Sequence, residues 1–312
     1  MPRFASFDHQ RLFYRDIGQG QPCVLIHGFS LDSRQWLPYI TPLTHRFRFL
    51  LIDMRGHGRS KSVHFEGRDV MDVAAQDIKH LINHIACDHV ILGGYSLGSA
   101  ASLSYLQAFG FDKVVRYLNI DFSPKSDHTE SWGYGLNHKL VDAVDEFRAD
   151  CDTLFRDGYD RSQGFDELPR YFLDSYTVLF HQLVVNLLPQ RQAKQIFHRL
   201  DRKHILAYCR SLAPHWSVTV DLVYALTQGF DFRPIINGSP IPMEFFVGQR
   251  SEFFHPHGSL AMADDAMVTV FKKSGHGLLF TEPLKFFRCF KRFLEGKPSQ
   301  ESVTQKHLGF AS

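Results

Sequence analysis

Along the chain, short runs of consecutive apolar residues alternate with longer stretches in which apolar residues recur every three to four positions. The first pattern suits strands buried on both faces and the second suits amphipathic helices, so their alternation predicts βαβ units around a mostly parallel sheet. After a polar N-terminal hairpin ending near Gly20, strands are expected at 23–26, 47–52, 90–92 and 114–120. Helices are expected between them at 33–43, 69–86 and 99–109. Polar residues close the strand runs, among them His27, Asp53 and Asp121.

From 124 to 238 the alternation stops, and the pattern reads as several helices carrying many aromatics, including Trp132, Tyr134, Tyr171, Phe172, Tyr176, Phe180 and Trp216. Strands resume at 243–247 and 267–271, a last helix is expected over 282–294, and the polar tail beyond Lys297 is expected to fray. The fold class is therefore α/β: a core formed by 1–123 and 239–312, interrupted by a helical lid (cap) inserted at 124–238. The longest charge-free stretch, 89–111, is long enough to span a bilayer. Its glycines and serines dilute the hydrophobicity, and it reads as a buried strand, a turn and a helix.

Composition narrows the function classes. The 312 residues include 44% hydrophobic and 22% charged positions, values of an ordinary folded protein. With 35 Lys plus Arg against 33 Asp plus Glu, no global field recruits nucleic acid or an anionic membrane. The five cysteines, Cys23, Cys87, Cys151, Cys209 and Cys289, are scattered and odd in number, which indicates neither a disulfide framework nor a Cys-based zinc site. Arg3 and Asp8 interrupt what would be the apolar stretch of a signal peptide. A cytoplasmic location is the expectation, and oligomeric state is not readable.

The chemistry concentrates at strand ends. Gly94-Tyr95-Ser96-Leu97-Gly98 is a G-x-S-x-G match between an apolar strand and an apolar helix, the context in which such a serine sits on a strained turn with its hydroxyl exposed. The following N–H, that of Leu97, stands at a helix start, where unpaired donors favour negative charge. A nucleophilic serine needs a base. His276, in Ser274-Gly275-His276-Gly277 after the last core strand, has small neighbours and the right place. The remaining 17 histidines read as solvated or structural groups. His80 and His84 stand four apart on a helix, yet Leu81 occupies the position where H-E-x-x-H needs Glu. His255 and His257 flank Pro256 and read as a helix start. No metal or organic cofactor is indicated, because Gly56-His57-Gly58-Arg59-Ser60-Lys61 does not form G-x-G-x-x-G.

With these blocks in hand, the sequence resembles the α/β-hydrolase family along nearly its whole length. Four blocks carry the resemblance, in the family's order: His27-Gly28-Phe29, the run from Asp53 to Ser60, Gly94 to Gly98, and Ser274-Gly275-His276. The resemblance implies an α/β-hydrolase fold with a mostly parallel central sheet flanked by helices. It implies Ser96 as nucleophile, His276 as general base, and the backbone N–H groups of Phe29 and Leu97 as oxyanion hole. By the same resemblance, the Asp53 block and His27 are supports.

The acid departs from the family's commonest pattern, which places Asp three residues after the glycine ending the strand that follows the lid. That glycine is Gly248, and the third residue on is Ser251, with Glu252 adjacent. The alternative is Asp121, in Ile120-Asp121-Phe122-Ser123-Pro124, which resembles the signature of a subgroup of small bacterial esterases. Asp121 is preferred and Glu252 kept as the alternative.

The activity implied is hydrolysis of a carboxylic ester by a Ser-His-Asp triad, on a small-molecule substrate whose apolar character the 29 Phe residues would suit. Aromatic residues at helical spacing are as readily core as pocket lining, and lid Arg and Lys are as readily solvated as anion-binding. Two rivals from other classes remain. One is a cofactor-free oxygenase with a His276/Asp121 dyad, in which the serine only helps bind substrate. The other is a non-catalytic ligand-binding protein, whose usual mark, loss of nucleophile or base, is not met by this chain. A haloperoxidase or perhydrolase would need no different residues.

Overall fold

A computed structural model describes residues 2–187, 204, 207, 215–262, 267–297 and 302–303. Nine strands form one sheet: β1 Arg3–Ala5, β2 Arg11–Gly18, β3 Gln21–Ile26, β4 Phe47–Ile52, β5 Val90–Tyr95, β6 Val114–Ile120, β7 Met243–Gly248, β8 Met267–Phe271 and β9 Ser302–Val303. Their spatial order is β1-β2-β4-β3-β5-β6-β7-β8-β9. The pairs from β4 through β3, β5, β6 and β7 to β8 are parallel, with antiparallel pairs at the two edges. Of the tail beyond Lys297, expected to fray, only Ser302 and Val303 are described, and these two pair antiparallel with β8 as a short edge strand; the rest of that expectation lies outside the described residues.

The helices of the described residues are α1 Leu37–Ile40, α2 Val70–His84, α3 Leu97–Phe109, α4 His138–Arg156, α5 Arg170–Leu187, α6 Trp216–Gln228, α7 Arg233–Asn237, α8 Pro256–Leu260, α9 Leu278–Thr281 and α10 Pro283–Leu294. Successive side chains of a strand face opposite ways, and this period sorts the core into two layers. Val24, Ile26, Leu50 and Ile52 pack with α2 and α3 on one face. Cys23, Leu25, Phe49 and Leu51 meet Trp36, Tyr39 and Ile40 and the Phe286, Phe290 and Phe293 stripe of α10 on the other. Both layers are apolar, which is why the central strands read as continuous hydrophobic runs.

The continuous helix expected over 33–43 is instead three short turns: a 3₁₀ turn Ser33–Trp36, α1, and a 3₁₀ turn Thr41–Leu43. Pro38 and Pro42 each fall at the start of a turn, where the missing N–H costs nothing; inside a longer helix each would remove a bond and clash with the preceding turn. By contrast α2 is continuous, with Asp69 capping it by accepting from the N–H groups of Met71 and Asp72 at 2.8 and 2.9 Å. His80 packs on Phe7, and His84 on Phe4 and Tyr14, so these two histidines serve the hairpin contact.

Between β6 and β7 the described residues form no strand of the sheet. Here α4, α5 and α6 enclose a separate apolar cluster that contains Phe147, Phe172, Tyr176, Phe180 and Trp216. Among the described residues, no helix is long and apolar enough to cross a membrane. Cys209 lies outside the described residues.

Candidate active site

The turn between β5 and α3 is built by the absence of side chains. A Cβ at Gly94 would lie 2.1 Å from the Gly98 carbonyl, and one at Gly98 would lie 2.3 Å from the Ile26 oxygen, both backbone atoms that cannot swing away. That closeness lets Ser96 take φ 54° and ψ −118°, a conformation non-glycine residues enter at a cost of about 1–3 kcal/mol. The strain is held from both sides: the Ser96 N–H donates to Ile120 at 2.9 Å, and its carbonyl accepts from Ser99 and Ala100. α3 therefore begins at Leu97, two residues earlier than the sequence pattern suggests. Gly98→Ala is expected to lower stability by about 3 kcal/mol or more, read as a drop in thermal midpoint, because the added methyl must push α3 off β3.

Three strand ends meet above this turn. His276 Nε2 lies 2.9 Å from Ser96 Oγ, and its Nδ1 lies 2.6 Å from Asp121 Oδ2. The carboxylate facing Nδ1 fixes the proton there, leaving Nε2 as the acceptor toward the serine. Asp121 itself adopts φ 49° at the end of β6. Its Oδ1 accepts from the Gly248 N–H at 2.7 Å and its Oδ2 also accepts from the Ser251 hydroxyl at 2.8 Å. The Ser251 contact was not anticipated from the sequence. Its one available signal was a short hydroxyl at the position where the commonest pattern has the acid. Glu252 is exposed.

The His276 loop is fixed from several directions. The Tyr95 hydroxyl donates to its carbonyl at 3.0 Å, the Phe253 and Phe254 rings lie 4.6 and 5.7 Å from the imidazole, and Ser274 donates to Glu282. His276 and Asp121 are both nearly sealed from solvent, so their bond acts in a medium where charge pairing is strong.

Opposite the serine stands the loop after β3. His27 is fully buried, its Nδ1–H donating to the Gly28 carbonyl at 2.8 Å and its Nε2 accepting from the Met54 N–H at 3.0 Å. Both ring nitrogens are committed to backbone, so His27 supports the loop that carries Phe29. Asp53 likewise holds backbone, accepting from the N–H groups of Ser33 and Arg59. Arg55, fully buried, is satisfied by Asp77 and Asp8. Burial pulls the His27 pKa down to about 4 and that of His57 to about 3, the latter also pushed by the neighbouring His27 ring.

These two values carry a pH prediction. A histidine whose folded pKa lies below its unfolded value near 6.5 leaves the unfolded chain binding more protons, so stability is complete above about pH 6.5 and is lost as pH falls toward the folded values. Each should cost about 2 kcal/mol between pH 7 and pH 5. Urea unfolding midpoints are expected to fall across that window, and less steeply in His57→Gln; a flat profile there would contradict the buried neutral state.

Ser96, Leu97, Phe29 and His276 all line one cavity of about 940 Å³, its open mouth included. On the side of the 124–238 segment its described lining is aliphatic, from Leu136, Leu140 and Val144, Leu179 and Leu183, and Leu222, Val223 and Leu226. The aromatic lining comes from outside that segment instead, as Phe29, Tyr95, Phe122, Phe253, Phe254 and Phe280. The lid aromatics singled out in the sequence do not line it; four of them, Phe172, Tyr176, Phe180 and Trp216, are the lid's own core. Among the described residues, no Lys, Arg, Asp or Glu lines the cavity, and Arg161 is engaged by buried Asp221 at 2.8 Å. Among the described residues, no group of three or more His, Cys, Asp or Glu is placed to hold a metal ion.

Residues 23–288 match the family model described as "Alpha/beta hydrolase family". The chain is 32% identical over 148 residues to the AB hydrolase superfamily protein YisY of Bacillus subtilis, covering 46% of this chain and 54% of that protein. It is 33% identical over 148 residues to a non-heme haloperoxidase of Rhodococcus erythropolis, covering 47% and 53%. Each match thus spans about half the length of the curated relative. A solved esterase from Thermogutta terrifontis superposes with TM-score 0.67 over 95% of this chain and 98% of its own, at 19% identity, which is a likeness of fold.

Proposed function

The chain belongs to the alpha/beta hydrolase family, and on that premise we propose that it is a serine hydrolase, cleaving a carboxylic ester or related acyl bond of a small apolar substrate through an acyl-enzyme on Ser96. The observation that carries this reading is the hydrogen-bonded series Ser96–His276–Asp121 at the wall of an apolar cavity. His276 Nε2 takes the Ser96 proton as Oγ attacks the ester carbonyl, and returns it to the leaving alcohol. Water then attacks the acyl-enzyme by the same proton path and releases the acid. Asp121 keeps the Nδ1–H tautomer and stabilises the imidazolium.

The N–H groups of Leu97 and Phe29 are assigned to the tetrahedral oxyanion. Leu97 is the first residue of α3, and first-turn N–H groups have no helical acceptor. In such sites one donor contributes about 3–4 kcal/mol to the transition state. The apolar lining among the described residues favours an uncharged acyl chain or aromatic group, with the 124–238 segment proposed as the lid that shapes it. The scattered, odd-numbered cysteines of the sequence are the ground on which a reducing, cytoplasmic setting is part of this reading.

The test is labelling with a fluorophosphonate, located by peptide mass spectrometry, beside hydrolysis of short-chain p-nitrophenyl esters. Label at Ser96 with ester turnover is the expected result. An unlabelled Ser96 with no turnover of any ester would remove the reading and bring forward the oxygenase and binding-protein alternatives. The similarity to a named haloperoxidase favours one second reading: hydrogen peroxide replacing water as acceptor of the acyl group, giving a peracid. Peracid formation from acetate and peroxide tests it directly.

A further inference from the structure

Scattered apolar side chains on a surface need no explanation, but an exposed one that also walls a cavity does. Of the large hydrophobic residues that stand exposed, Phe280 and Leu284 lie four apart across α9 and the start of α10, at 54% and 79% exposure. Phe280 also lines the cavity, so it is at once wall and rim. Val178, 55% exposed, stands on α5, the helix that supplies Leu179 and Leu183 to the same cavity.

The charge around this rim is as uneven as the hydrophobicity. From Lys272 to Arg292 there are six Lys or Arg against the single carboxylate Glu282, whereas the whole chain has 35 against 33. Lys272, Lys273, Arg288 and Lys291 are exposed, and none of the four forms an ion pair among the described residues. On α10, Leu284, Arg288 and Lys291 follow the i, i+4, i+7 spacing of one helix face, while Phe286, Phe290 and Phe293 occupy the buried one. Glu282 is turned inward, accepting from the Lys273 N–H and the Ser274 hydroxyl.

We propose that the Phe280–Leu284 rim, with Lys272, Lys273, Arg288 and Lys291 around it, is a docking surface for a bilayer bearing anionic phospholipid, and that the cavity mouth thereby takes its apolar substrate from the membrane surface. Protruding apolar side chains enter the boundary between headgroups and acyl chains, and cations beside them meet the anionic headgroups; each signal alone gives weak, reversible attachment, and together they add. An acidic protein would meet the cations but leave Phe280 and Leu284 without an apolar counterpart. A second copy of this chain would bring four like charges against four. The docking itself rests on the surface alone; only the delivery of substrate rests on the ester-hydrolase reading.

The experiment is co-sedimentation of the full chain with phosphatidylcholine vesicles, with and without about 30% phosphatidylglycerol, at low and high salt. Expected is binding to the anionic vesicles at least tenfold stronger than to neutral ones and weakened by salt. Leu284→Ser should reduce it severalfold and the Lys272→Glu/Lys273→Glu pair by on the order of tenfold, with thermal midpoints and hydrolysis of a soluble short-chain ester unchanged. Ser96→Ala should bind vesicles as well as the wild type, which separates failure of the docking from failure of the hydrolase reading. Absence of binding to anionic vesicles, equal binding by the variants, or a dimer in sedimentation that Leu284→Ser dissociates would each overturn the proposal.

Discussion

Ser96→Ala is expected to lower kcat for any ester the protein cleaves by on the order of 10⁵- to 10⁶-fold, with no loss of folding. The two halves of that statement have different physical grounds. Alanine keeps a Cβ, so the cost of φ 54° at the turn is the same as for serine, and the bonds from the 96 N–H to Ile120 and from Ser99 and Ala100 to the 96 carbonyl are untouched. What disappears is Oγ, the only atom at the turn that His276 can deprotonate. The remaining acceleration over water would come from the oxyanion donors and the cavity, about 10³- to 10⁴-fold in comparable sites. Thermal midpoints within a few degrees of wild type, together with loss of fluorophosphonate label and turnover, are the expected pattern. Near wild-type hydrolysis by Ser96→Ala would show that the hydroxyl is not the nucleophile.

The legibility of this site in the sequence follows from how local each determinant is. The turn at Ser96 was legible because Gly94 is required by the Gly98 backbone four residues on, and Gly98 by the Ile26 backbone of the adjacent strand β3, so both small residues fall at a fixed spacing around the serine. The central strands were legible because burial on both faces allows no polar alternation. The acid was harder, since Asp121 and Ser251 stand beyond the ends of the neighbouring strands β6 and β7 and touch each other, and a carboxylate can stand at either end. What supports the proposed assignment is that three donors from distant segments, the Gly248 N–H, the Ser251 hydroxyl and His276 Nδ1, converge on Asp121. The lid was harder still. Phe172, Tyr176 and Phe180 share a helix face with aliphatic residues of similar hydropathy, and only the packing against Trp216 and Phe147 shows which side faces the cavity. The breaks at Pro38 and Pro42 were present in the sequence; the apolar periodicity ran through them and masked the local rule.

Asp121→Asn should then be the second most damaging change at the site, lowering kcat by about 10⁴-fold with KM nearly unchanged. Asparagine is isosteric, so one face of the side chain can still accept from the Gly248 N–H and hold the end of β6. The face toward His276, however, can now present an amide N–H to Nδ1. The ring answers by moving its proton to Nε2, the nitrogen that faces Ser96, and a nitrogen already carrying hydrogen cannot receive the serine proton. The imidazolium formed during attack would also lose the carboxylate that stabilises it. Glu252→Gln tests the competing assignment in the same assay. Glu252 is exposed, so its neutralisation should change kcat by less than about twofold, the scale on which solvent-exposed charges act. The comparison is decisive because the two variants remove the same charge from adjacent strand ends. If Glu252→Gln proves the damaging change and Asp121→Asn the silent one, the bond at 2.6 Å between His276 and Asp121 is structural, and the acid lies after β7 as in the family's commonest pattern.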